Sequence, residues 1–264
     1  MVAVAALVVG AIVFGIVGGS TPVARGVTAA ICKIFTAGQG SCEAKNGPSD
    51  GSEGGGIEYG GFGTQGEDPG DDVEYPEGLD PESALAKELA STERGRRILQ
   101  WLHDNNITVV IDPGAQGAYY SNGVITLGPG YENASTVIHE ANHAVWDTEN
   151  RSADAGSMTK DAYVGLAIEE EAEGVWLEVV YAKERRDAGQ TVTASGAEER
   201  YDGAYQTAYD AAIASGESAA SAHAAGNQAG RDAIEQMFYD GSFVTSNTGD
   251  PYSDYYGDYW ETVN

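Results

Sequence analysis

His139-Glu140-Ala141-Asn142-His143 sets two histidines four residues apart, with a glutamate directly after the first. On a helix, positions i and i+4 lie about 40° apart around the axis, so both imidazoles project from one face and can bind one metal ion. Zinc held there lowers the pKa of a bound water towards neutrality, and Glu140 is placed to take its proton as a peptide bond is attacked. The chain has only four histidines, and two of them stand in this motif. The bland alternative is a surface helix that matches by accident. The pattern points to a zinc-dependent hydrolase with Zn2+ as its cofactor.

Two histidines leave a catalytic zinc site one protein ligand short. One arrangement draws that ligand from six residues beyond the second histidine, after a glycine turn. Here Trp146 and Glu149 occupy those positions, and tryptophan does not readily take the left-handed backbone of such a turn. A glutamate from a following helix is the better source. Glu169-Glu170-Glu171-Ala172-Glu173 offers four, of which at least two need no role beyond an exposed face. Glu171 shares a face with Ile168, Ala172 and Val175 and ranks first. Glu170, on the face of Leu166, Leu177 and Tyr181, ranks second, and Glu169 third. A carboxylate buried without a partner is costly, and a metal relieves that cost.

Other polar residues carry less. His103 ends an amphipathic helix and His223 lies in an alanine-rich one, so both read as structural or exposed. Tyr119, Tyr120 and Tyr163 are candidates to stabilise an oxyanion, although most of the 15 tyrosines must serve packing or the surface. Residues 124–127 can act as an edge strand that holds an extended peptide by backbone pairing.

The elements that must position these groups follow from periodicity and turn chemistry. Pro81-Glu82-Ser83 starts helix, which the apolar spacing carries to about Asp104 with a break near Gly95. The β-branched run 107–111 is a strand closed by Asp112-Pro113-Gly114. Asn122-Gly123, flanked by residues 118–121 and 124–127, predicts a two-stranded hairpin with a type I′ turn. Asn133 or Ser135 caps the motif helix, which buries Val137, Ile138, Ala141 and Val145. A long helix follows over about 159–187, then alanine-rich helix over about 197–238 with a break near Gly216. The stretch 241–264 is rich in tyrosine and glycine. It gathers Phe243, Val244, Tyr252, Tyr255, Tyr256, Tyr259 and Trp260, more aromatic area than is usually left in water, so it is expected to fold onto the domain. The fold class expected is α+β, mainly helical, with a small antiparallel sheet.

Ahead of this domain the composition changes. Residues 1–20 are almost wholly apolar, and about 20 such residues suffice to cross a bilayer. No basic n-region precedes them, which favours a transmembrane anchor over a cleaved signal. Arg25 and Lys33 place the following chain on the cytoplasmic side, whereas a cysteine pair and an acidic linker favour the other side. Both orientations stay open. Cys32 and Cys42 read either as a small disulfide loop or as two free thiols. Between Asn46 and Ala86 there is no lysine or arginine, while glycine and acidic residues accumulate, so 21–80 is expected to be a disordered linker and 81–264 the folded domain. With 41 acidic and 14 basic side chains the formal charge is −27. Such a field repels phosphate backbones and excludes nucleic acid as a natural partner.

The segments TERGRRIL, GAYYSNGVITLGP, TVIHEANHAVWD, YVGLAIEEEAEG, GRDAIEQMF and DGSFVTSNTGDPYSDYYGDYW, in that order, resemble the metallopeptidase domains at the C-terminal ends of bacterial polymorphic toxins. The resemblance covers about Thr92 to Trp260. It implies a zincin-like fold of the glutamate-zincin type, with His139 and His143 as ligands, Glu140 as base and an acidic ligand from EEEAEG. It further implies a protein or peptide substrate, an immunity protein as partner, and a membrane-anchored or secreted effector. A housekeeping protease that processes exported proteins shares every site residue. A non-catalytic surface protein that binds partners through its acidic linker and tyrosine-rich tail is the reading from a different class.

Overall fold

A computed structural model describes residues 61–64, 67–245 and 248–264. The apolar segment 1–20, Cys32 and Cys42 lie outside the described residues. No helix among the described residues is long and apolar enough to cross a membrane.

The architecture is α+β and mainly helical, as expected. Helices α1 (Ala84–Leu89) and α2 (Glu93–Asp104) precede strands β1 (Thr108–Ile111), β2 (Ala118–Ser121) and β3 (Val124–Leu127). Then come α3 (Ala134–Thr148), α4 (Lys160–Asp187), α5 (Gly196–Ala214), α6 (Ala219–Tyr239) and α7 (Tyr252–Val263). Local chemistry explains most boundaries. Ser83, Thr92, Asn133, Thr159, Ser195 and Ser218 each cap a helix, the side-chain oxygen accepting from a backbone N–H three residues on. Asn122 and Gly123 turn the hairpin with φ of 49° and 80°, the left-handed pair that a type I′ turn requires.

Three expectations need correction. First, the helical break falls at Ala90–Thr92, and Gly95 lies inside α2. A Cβ on Gly95 would stand 1.8 Å from the Leu89 carbonyl oxygen, so this glycine lets the end of α1 abut α2. Second, the sheet is mixed and ordered β1-β3-β2, with β1 parallel and β2 antiparallel to β3. β3 is therefore central, with β1 and β2 at the two edges. Third, packed chain begins ahead of 81. Phe62, Val73, Tyr75 and Leu79 lie against the core, Asp68 pairs with Arg96 through both carboxylate oxygens, and the Val109 N–H donates to the Glu77 carbonyl. The few apolar groups of this acidic tract are spaced to meet the core, and Asp68 finds an arginine of α2.

One core joins the sheet to α2, α3, α4 and α6, with Leu99, Ile125, Ile138, Leu177 and Ile234 fully buried. α3 packs on α4, and α4 also meets α6 and α7. The four apolar positions expected to face inward from α3, Val137, Ile138, Ala141 and Val145, are all buried. The C-terminal stretch folds onto the domain as expected, with Phe243, Tyr252 and Tyr256 against the core.

Candidate metal centre

α3 and α4 bring the motif histidines and the acidic run together. Nε2 of His139 lies 3.2 Å from Oε2 of Glu171, and Nε2 of His143 lies 3.9 Å from the same oxygen. Tetrahedral zinc with N and O ligands at 2.0–2.1 Å would set its ligand atoms about 3.3 Å apart. The His139 contact matches that spacing, the His143 contact is somewhat longer, and one ligand atom from each of the three residues lies within 4.8 Å of the others. Both imidazoles also have an acceptor on the outer side. Nδ1 of His139 is 2.9 Å from Oε1 of Glu178, and Nδ1 of His143 is 2.7 Å from Oε1 of Glu170. Carboxylates only accept hydrogen bonds. His139, with one at each ring nitrogen, is satisfied either doubly protonated or with its Nδ1 proton on Glu178 and a cation at Nε2. The donor set thus fits a metal, and the outer carboxylates are of the kind that orient metal-bound histidines.

Without a metal, the same groups form ion pairs. Burial opposes charge on His139, yet the carboxylates of Glu171 and Glu178 outweigh it and hold its pKa well above the usual value. His143 is raised for the same balance of reasons, with Glu170 its main support. Burial pushes Glu171 up, but the facing imidazoles and the Tyr256 hydroxyl pull it down to about 2. Glu171 is the buried carboxylate of the acidic run, as expected. Glu170, the second choice, meets the ring nitrogen of His143 turned away from Glu171, and Glu169 faces outward. Glu173 accepts from Trp146 Nε1 at 2.9 Å, and Glu149 caps the end of α3 in solvent. Trp146 is itself buried and roofed by the Arg151 guanidinium, so α3 runs straight past the position where a glycine turn would have sent the chain back.

Two residues let α4 come this close. A Cβ on Gly174 would lie 2.9 Å from Cε1 and Nδ1 of His139, so only glycine leaves room for the ring. Asn142, buried between the histidines, donates to the Glu170 carbonyl at 2.9 Å and ties the two helices together.

The centre opens into a cleft of about 660 Å³, bounded by β2, α3, α4 and α7. Glu140 lines it and is 7% exposed. Burial raises its pKa, against the pull of the two histidines and the Tyr120 backbone N–H. Tyr119 and Tyr120 line the cleft, but the Tyr120 hydroxyl is engaged with Asp147 at 2.8 Å. Tyr163 does not line it. Its ring is buried against Tyr256 and Tyr259. Tyr252, Tyr255 and Tyr256 of α7 take that wall instead, and Tyr256 donates to Oε1 of Glu171 at 2.6 Å. Their spacing of three and four residues on a predicted-folded tail was the available signal. His103 is exposed beside Asp104, and His223 pairs with the Tyr205 hydroxyl, both away from the centre.

Comparison with family models, with curated proteins and with solved structures finds no match to this chain.

Proposed function

We propose that the chain is a zinc-dependent endopeptidase of the zincin type, with His139, His143 and Glu171 as metal ligands and Glu140 as general base. The observation that carries this reading is the convergence of the two Nε2 atoms and Glu171 Oε2 beside a buried, cleft-facing Glu140. When bound, zinc supplies Lewis acidity and a water acidic enough to ionise near neutral pH. Glu140 accepts a proton, and its burial makes it basic enough to keep that proton until the departing amine takes it. Glu170 and Glu178 hold the imidazoles in the tautomer that leaves each Nε2 lone pair free. β2, an edge strand whose residues line the cleft, aligns an extended peptide by the outward backbone groups that Glu140 does not engage. That role passes to β2 from β3, whose two sides are both paired.

The order of motifs along the chain further supports a toxin domain of a secreted or membrane-tethered bacterial effector, with an immunity protein as its partner. The test of the chemistry is Glu140→Gln in the zinc-loaded full chain. Peptide-library cleavage should fall on the order of 10²- to 10⁴-fold, while elemental analysis still finds the metal. Cleavage at the wild-type rate, or a wild-type chain that takes up no zinc, overturns the reading. Toxicity on expression, relieved by the product of a neighbouring gene, tests the effector role.

A further inference from the structure

We infer that the C-terminal helix is a working part of the metal centre: the Tyr256 phenol fixes the rotamer of Glu171 so that one carboxylate oxygen is presented to His139 and His143. The inference rests on the reading of this site as metal-binding and makes Tyr256 a positioning residue. Tyr256 stands 85 positions beyond Glu171, so the contact exists only in the folded domain. Its hydroxyl engages Oε1 at 2.6 Å while Oε2 faces the imidazoles. The last torsion of a glutamate is soft and roughly two-fold. Left free, Glu171 offers either oxygen, or both, to a cation. The phenol removes that freedom, and freedom lost before binding is not lost again on binding.

The phenol is itself held in place. Its ring meets Tyr163 edge-on with centroids 6.1 Å apart, and packs beside Tyr252 and Tyr255. The far end of α7 is tied down by Trp260 Nε1 donating to the Met158 carbonyl at 2.9 Å, and by Lys160 pairing with Glu261 at 2.5 Å. Docking of α7 and loading of the metal are therefore linked equilibria: each favours the other by the same free energy.

Zinc affinity of the full chain, measured by competition with a chromogenic chelator, tests this. Tyr256→Phe keeps the ring and should weaken zinc binding roughly 10- to 100-fold, the usual cost of losing an outer-shell partner. Tyr259→Phe, on the same helix but stacked on Tyr163 and 52% exposed, should bind like the wild type. Equal affinity for Tyr256→Phe and wild type, or an equal loss in both variants, overturns the inference. Hydrogen exchange on the unmodified chain gives a second reading that needs no variant. Added zinc should increase protection along α7 as well as α3 and α4, and a gain confined to α3 and α4 overturns the linkage. A wild-type chain that binds no zinc removes the metal centre and this inference together. A wild-type chain that binds zinc with Tyr256→Phe unchanged removes the inference alone.

Discussion

Gly174→Ala is the sharpest probe of how α3 and α4 build the site. The new methyl would lie 2.9 Å from Nδ1 and Cε1 of His139 and 3.1 Å from Cγ, broadside on the ring. Ordinary contact needs 3.5–4.0 Å, so the imidazole or the helix must retreat by roughly 0.5–1 Å. The ring is pinned at Nδ1 by Glu178 at 2.9 Å, and a retreat of that size stretches or breaks the bond. Two effects oppose each other in stability. Alanine in a helix interior gains about 1 kcal/mol over glycine, whereas overpacking costs about 1–3 kcal/mol. The metal-free variant should thus melt near or somewhat below the wild type. Zinc affinity carries no such compensation, because displacing the ring moves a ligand atom and loosens its outer carboxylate at once. A loss of at least 10- to 100-fold is expected. Chelator competition gives the affinity and a thermal melt without metal gives the stability. A Gly174→Ala protein that gains stability and binds zinc like the wild type would refute the close approach of α4 to His139.

Further expectations concern the third ligand and the segment before α1. Glu171→Gln should weaken zinc binding markedly and Glu149→Gln should leave it near wild type, since Glu149 stands in solvent at the end of α3; titration of both variants with zinc decides between them. Leu79→Ala should cost about 2–5 kcal/mol in a denaturant melt, because Leu79 is buried in the core, whereas a linker residue would cost nothing measurable. Asp68→Asn should cost no more than about 1 kcal/mol at neutral pH, as an ion pair open to solvent does. The Arg96 hydrogen bond holds Asp68 at about 2, below its ordinary 3.8. Its contribution is therefore complete above the unfolded value and lost as pH falls through the folded one, so melts of variant and wild type should converge towards pH 2 and stay apart at pH 6.

Legibility in the sequence tracked how local each determinant is. Caps and turns depend on residues within three or four positions, and Asn133, Thr159 and Asn122-Gly123 stand where those rules put them. The motif histidines are equally local, because one helix fixes their relation. The inward turn of Glu171 was legible through helical phase: on its face Ile168 and Ala172 are buried and Val175 is half-buried. Strand order was not local. The residues of β3 alone cannot say whether one neighbour or two will pair with it, although its run of three buried positions beside the alternating pattern of β2 is what a central strand requires. The segment at 67–80 misled for a related reason. Its composition is that of a linker, but three apolar groups, Val73, Tyr75 and Leu79, and one aspartate hold it because the core already presents their partners.

The supports of the site were the least legible part, and the cause is physical. A metal ligand must belong to a small set of residue types at set spacings, so a sequence advertises it. The groups that orient a ligand need only one hydrogen-bonding atom at the right place, and many residues at any distance in sequence can supply it. In the proposed centre Glu178, Glu170 and Tyr256 supply such atoms from α4 and α7, yet the sequence marked Glu170 only as a second candidate ligand and Tyr256 only as one residue of a tyrosine-rich tail. Gly174 is different in kind. It has no side chain to contribute, and its role is the space that a side chain would take from His139. The glycine that closes Glu169-Glu170-Glu171-Ala172-Glu173-Gly174 can be read from sequence only as an oddity inside a helix, where it costs about 1 kcal/mol against alanine. That unfavourable choice in the middle of a 28-residue helix is intelligible once the imidazole lies across it.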